Sequence, residues 1–171
     1  MTSQANHKRN MRDAEEQVLN AEKFSSLAWL YGSKYPAAEI TEDWKKVLFN
    51  QFHDLAAGSG IGVIYKDAQK DYDVVRWSTN EIDAGALSEV AAQIDTRVKI
   101  EKSTPIVVYN QLGWARSGEA TVKIQLADPK QEISIAAMCE PESGMNQIDP
   151  EVLSRNMDTG EVCLLYTSRC V

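Results

Sequence analysis

Residues 44–60, WKKVLFNQFHDLAAGSG, decide how the whole chain is read. Trp44, Val47, Leu48, Gln51, Phe52 and Leu55 recur at the three- and four-residue steps that stripe one side of a helix. Gly58-Ser59-Gly60 then breaks the pattern. Thr41 is suited to cap this helix, and Glu42 and Asp43 behind it suit the positive end of the helix dipole. Just before the break stand His53 and Asp54, an imidazole beside a carboxylate, a pair that could meet a metal ion or a sugar hydroxyl. Counted at about 100° per residue, His53 falls opposite Trp44 and shares its side with Lys46 and Asn50, with Phe49 close by. A histidine turned away from a core is ordinarily a solvated residue. The neighbouring Phe49 argues instead for a face that something else covers. Trp44, Leu48 and Phe52 are expected to be buried, and His53 and Phe49 to be exposed.

Working outward, Met11, Ala14, Val18, Ala21, Ala28 and Tyr31 stripe an earlier helix that Gly32 and Pro36 close. Ile61, Ile64, Ala68, Tyr72 and Val75 give a third stripe. Leu87, Val90, Ile94 and Val98 give a fourth, continuous with the third after a kink near Ser78-Thr79-Asn80. Helices are therefore expected over most of 6–31, 41–56 and 60–100. They form a three- to four-helix antiparallel bundle spanning residues 1–103.

Thr104-Pro105 ends this regime, because proline pushes its predecessor out of helical geometry. Beyond it the period becomes alternating. Ile106–Tyr109, Ala120–Leu126, Ile133–Ile135 and Val162–Tyr166 read as strands, and the polar stretch Glu140–Asp158 as a long connection. The fold class is α+β, with residues 104–171 expected to be the start of a truncated antiparallel β-sandwich. Its open edges, and an end directly after a strand, suggest a piece of a larger protein.

Composition narrows the partners. A formal charge of −7 disfavours nucleic acid and anionic membrane surfaces, which call for a basic face. No apolar run approaches a membrane span, and the polar opening has no signal-peptide core. Cys139, Cys163 and Cys170 lack metal or disulfide spacing, which fits free thiols in a reducing, cytoplasmic setting. There are two histidines, and His7 lies in a polar lead-in expected to fray. A zinc site takes three or four protein ligands, so any metal held by His53 would be shared with other chain. Trp29, Trp44 and Trp114 are expected to be packing residues, with Trp77 the most open to a role as a sugar platform.

These motifs resemble the middle of the family 38 glycoside hydrolases, the retaining α-mannosidases. WKKVLFNQFHDLAAGSGIGVIYKDA is similar to their helical-domain motif, a tryptophan-led helix ending in Gln-Phe/His-His-Asp and a Gly-Ser loop. The opening TSQAN, with the basic residues after it, looks like the exit from their catalytic domain. PIVVYNQLGWAR resembles the first strand of their C-terminal β-domains, with Gln111 and Gly113 departing from the usual Pro and Ser. Leu55-Ala56-Ala57-Gly58 likewise departs from the common Ile-Leu/Ile-Pro-Gly.

The resemblance implies that His53 is one ligand of an active-site Zn2+ completed by the catalytic domain, and that Asp54 binds the sugar. It implies no catalytic nucleophile or acid/base within this chain, and a terminal α-mannoside as substrate of the full-length enzyme. Other readings of the residues are a non-catalytic interaction module presenting the Phe49/His53 face, or a carbohydrate-binding sandwich using Trp114 or Trp77.

Overall fold

The computed structural model describes residues 3–96 and 105–114, together with the backbones of 117–125, 151–155 and 161–169. The chain divides into two units, Met1–Val107 and Val108–Val171.

The first unit is helical. It contains α1 (Ala5–Leu30), α2 (Ala37–Asn50), the single turn α3 (His53–Ala57) and α4 (Gly62–Ala91). Gly32, at φ 100°, ends α1 in a Schellman motif. There the Ser33 amide reaches the Ala28 carbonyl and the Gly32 amide reaches that of Trp29. α2 begins earlier than expected, directly after Pro36, whose ring presets the entry torsion. Thr41 is therefore not the cap; it lies inside the helix, and its hydroxyl donates to the Ala37 carbonyl.

Cross-helix bonds fix the directions. Glu22 of α1 accepts from the Trp44 indole of α2 at 2.9 Å, and His7 at the other end of α1 meets Asn50 at the other end of α2. Asp43 bonds Ser78 while Asn50 bonds Asp71, so α2 and α4 also run oppositely. The bundle is up-down-up, with sequence neighbours antiparallel.

Its core joins Ala14 and Val18 of α1, Ile40 and Val47 of α2, Leu55 of α3, and Ala68, Tyr72 and Val75 of α4. The stripes expected on α1 and on the first half of α4 thus face inward, although Tyr31 and Ile61 at their ends are exposed. The third and fourth stripes lie on one helix, as α4 runs unbroken through Ser78–Asn80, where the buried Thr79 hydroxyl donates to the Val75 carbonyl. α4 stops at Ala91 rather than 100, where Ile94 is already partly exposed.

α2 differs most from expectation. Its buried positions are Ile40, Asp43, Val47 and Asn50, whereas Leu48, Phe49 and Phe52 are exposed and Trp44 is half-buried. The cause is polar. Asp43 accepts from the Ser78 hydroxyl at 2.7 Å, and the Asn50 amide donates to Asp71 at 3.0 Å and to the Lys46 carbonyl at 2.9 Å. A buried polar group with partners on the facing helix is stable there, and it turns the apolar side of the helix outward. Trp29 and Trp114, expected to pack, are exposed, as is Trp77.

In the second unit, β1 (Ser117–Gln125), β2 (Glu151–Arg155) and β3 (Glu161–Arg169) form an antiparallel sheet in the order β1-β3-β2. Val122 pairs with Leu164, and an irregularity between Val152 and Ser154 interrupts the β2–β3 register. The strands expected at Ala120–Leu126 and Val162–Tyr166 fall on β1 and β3, apart from Leu126, which lies outside the described residues, as does Ile133–Ile135. Ile106–Tyr109 belongs to none of the strands among the described residues, and Ile106 and Val108 are exposed. Within the expected connection, Glu151–Arg155 is a strand because it finds an edge of β3 to pair with. The described residues hold one sheet, not a sandwich.

Candidate functional site

His53 does not sit on the helix used to place it. α2 ends at Asn50, Gln51 closes it, and Phe52 takes extended geometry at φ −53° and ψ 141°. His53 is the first residue of α3, so the angular count from Trp44 does not reach it. The expected exposure holds for another reason: the break throws the imidazole outward from the bundle. The side chains of His53 and Asp54 are 78% and 59% exposed, and His53 Nε2 lies 3.5 Å from Asp54 Oδ1. At that separation the carboxylate faces the ring without a tight bond. The rings of Phe52 and His53 lie 4.2 Å apart, tilted by 52°. Beside them Leu48, Phe49, Gln51, Phe52 and Leu55 line an open apolar hollow, with Phe49 73% exposed.

The segment after the pair is tied down. Gly58 closes α3 at φ 78°, a conformation that costs residues bearing a Cβ. Tyr65, on the first turn of α4, accepts from the Gly60 amide at 3.1 Å and donates to the Asp54 carbonyl at 3.5 Å. Ser3, just before α1, donates to the Gly58 carbonyl at 3.4 Å.

His7 is not in a frayed lead-in. It is 5% exposed, inside the first turns of α1, with its ring edge-on to Tyr65 (5.4 Å, 74°) and tilted against Tyr72 (5.6 Å, 50°). Burial lowers its pKa below the usual value of 6.5, opposed by a hydrogen bond to the backbone of Asn50, with the Lys8 charge lowering it further. Its Nε2 has no partner. The sequence placed His7 in a frayed lead-in and Asn50 on the outward side with His53, and both are buried; Tyr65 was not singled out. His7 stands four residues before Met11 and so extends the inward stripe of α1.

Among the described residues, no three of His, Cys, Asp and Glu converge as a metal shell. The pair His53–Asp54 can offer one imidazole and one carboxylate to a ligand approaching from solvent, and no more. Also among the described residues, no helix is long and apolar enough to cross a membrane.

Comparison with known proteins agrees with the helical unit. A family model described as the alpha mannosidase middle domain matches residues 1–90. Alpha-mannosidase 2C1 of Mus musculus is 31% identical over 145 residues, which is 84% of this chain and 13% of that protein. The alpha-mannosidase of Saccharomyces cerevisiae is 30% identical over 131 residues, 73% of this chain and 11% of that protein. The chain thus spans about an eighth of the length of these relatives. The crystal structure of an alpha-mannosidase from Enterococcus faecalis V583 shares the fold, with a TM-score of 0.69 over 98% of this chain and 21% of that one, at 18% identity. With the family model covering more than half of its residues, this chain belongs to the alpha-mannosidase middle domain family.

Proposed function

We propose that this chain is a segment of a retaining, zinc-dependent α-mannosidase acting on terminal α-mannosides. Residues 1–103 would be the helical middle domain and residues 104–171 the start of a β-sandwich domain, in a cytoplasmic enzyme. His53 supplies one imidazole to a Zn2+ whose other ligands come from residues outside this chain, and Asp54 meets a sugar hydroxyl. When bound, the metal would hold substrate hydroxyls and steady charge that develops on the sugar. Retaining glycoside cleavage also needs a nucleophile and an acid/base flanking the bond, and this reading takes both from outside the chain.

The observation that carries the reading is the exposed His53–Asp54 pair at the start of α3, within the span matched by the family. An outward imidazole with no tight internal bond is free to serve a neighbouring domain. The test is His53→Ala in an α-mannosidase containing this segment. Turnover of an aryl α-mannoside should fall by at least about a thousandfold, together with zinc content, because losing a ligand misplaces the hydroxyls the metal holds. Full zinc content and normal turnover in that variant would refute the assignment.

A further inference from the structure

We infer that Tyr65 is the positioning residue for the segment that carries His53 and Asp54: its ring is seated on the core, and its hydroxyl grips that segment at two points. α3 is only five residues long, and one turn makes few bonds for the torsions it fixes. Groups outside the turn must therefore set where its first two side chains project. Leu55, 7% exposed and part of the core, anchors the turn on its inner side.

The backbone on the outer side is held through the Asp54 carbonyl. In a longer helix this carbonyl would accept the amide four residues on, but the Gly58 amide bonds the Leu55 carbonyl at 3.1 Å instead. The Asp54 carbonyl is left to two hydroxyls, those of Tyr65 and Ser59, each 3.5 Å away. Ser59 belongs to the loop itself and cannot anchor it. Tyr65 also accepts from the Gly60 amide at 3.1 Å, the shorter and firmer of its two contacts, so one oxygen ties both ends of residues 54–60. Its ring packs against the core cluster and stands edge-on to the buried His7, with centroids 5.4 Å apart. Gly60 permits the approach, because a Cβ there would run into Ile64 and stand 3.4 Å from the Tyr65 oxygen.

The functional meaning of this grip rests on the proposed role of His53, but the grip itself can be tested without metal or substrate. In the 171-residue chain, Tyr65→Phe removes the oxygen and keeps the ring. Amide hydrogen exchange at Gly60 should rise about fivefold, the size expected for one lost hydrogen bond, with a smaller rise across residues 54–59. The amides of Val18 and Val75 should stay within about twofold. Ser59→Ala removes the other hydroxyl on the Asp54 carbonyl and should leave Gly60 within about twofold. Unchanged exchange in Tyr65→Phe, an equal rise in Ser59→Ala, or a rise shared equally by Val18 and Val75 would overturn the assignment.

In an α-mannosidase containing the segment, Tyr65→Phe should speed the loss of zinc to a chelator about fivefold, the factor set by the same lost bond. Turnover of an aryl α-mannoside should fall at limiting zinc and recover in excess zinc. Unaltered zinc loss despite a released segment, or turnover that excess zinc fails to restore, would overturn the positioning role. Normal turnover in His53→Ala would instead overturn the ligand assignment, and the exchange result would stand.

Discussion

Asp83 of α4 carries a carboxyl oxygen that is buried without a partner, and burial pushes its pKa up from 3.8 to about 6. The folded state therefore keeps the proton that the unfolded chain has already lost. Stability linked to this group is complete below about pH 4 and is lost as pH rises through about 6. Asp83→Asn should stabilise the chain at pH 7 by about 1 kcal/mol, after allowance for screening at a half-buried site. The gain should vanish near pH 4, as read by urea melts of variant and parent at each pH. An equal gain at both values would show that titration is not the cause. His7 has the opposite sign: its lowered pKa supports the fold above 6.5 and withdraws that support as pH falls. Comparing variant with parent cancels it. At this scale the two histidines were legible in kind but not in place. His7 looked solvated because its neighbours in sequence are polar, and only the packing of α1 on Tyr65 and Tyr72 shows otherwise.

α3 is a single turn, and its stability comes from its ends. Gly58 closes it with a positive φ, and a Cβ there would also run into the Ser3 hydroxyl. Gly58→Ala should destabilise the helical unit by about 1–2 kcal/mol and speed amide exchange across residues 53–60. A variant with unchanged melting and exchange would mean that the turn relaxes at no cost. The same element marks where periodicity misleads. Trp44 to Leu55 reads as one stripe on one helix, yet Phe52 breaks the helix and restarts it. On α2 the apolar residues Leu48 and Phe49 point outward because Asp43 and Asn50 find partners on α4. Side-chain spacing records which residues could share a face. It does not record which face has hydrogen-bond partners waiting.

For the chain as a whole, calorimetric titration with zinc should show no tight stoichiometric binding, since the described residues gather no metal shell around His53. The chain by itself should likewise leave an aryl α-mannoside uncleaved. Tight binding at one equivalent would contradict a ligand set completed from elsewhere. The helical unit was legible in the sequence alone, because apolar residues at helical spacing over long stretches admit few alternatives. Where it ends was not: α4 stops at Ala91, ahead of Thr104-Pro105, and β1 begins only at Ser117. The His53–Asp54 pair was legible too, because it and the Gly-Ser loop are a local motif. What the tertiary structure alone decided is which side of α2 is inside, that His7 is buried, and that Tyr65 and Ser3 fasten the loop. Asn50 finds Asp71 21 residues away, Ser3 finds Gly58 55 residues away, and His7 packs on Tyr72 farther still, and no local pattern encodes such pairings.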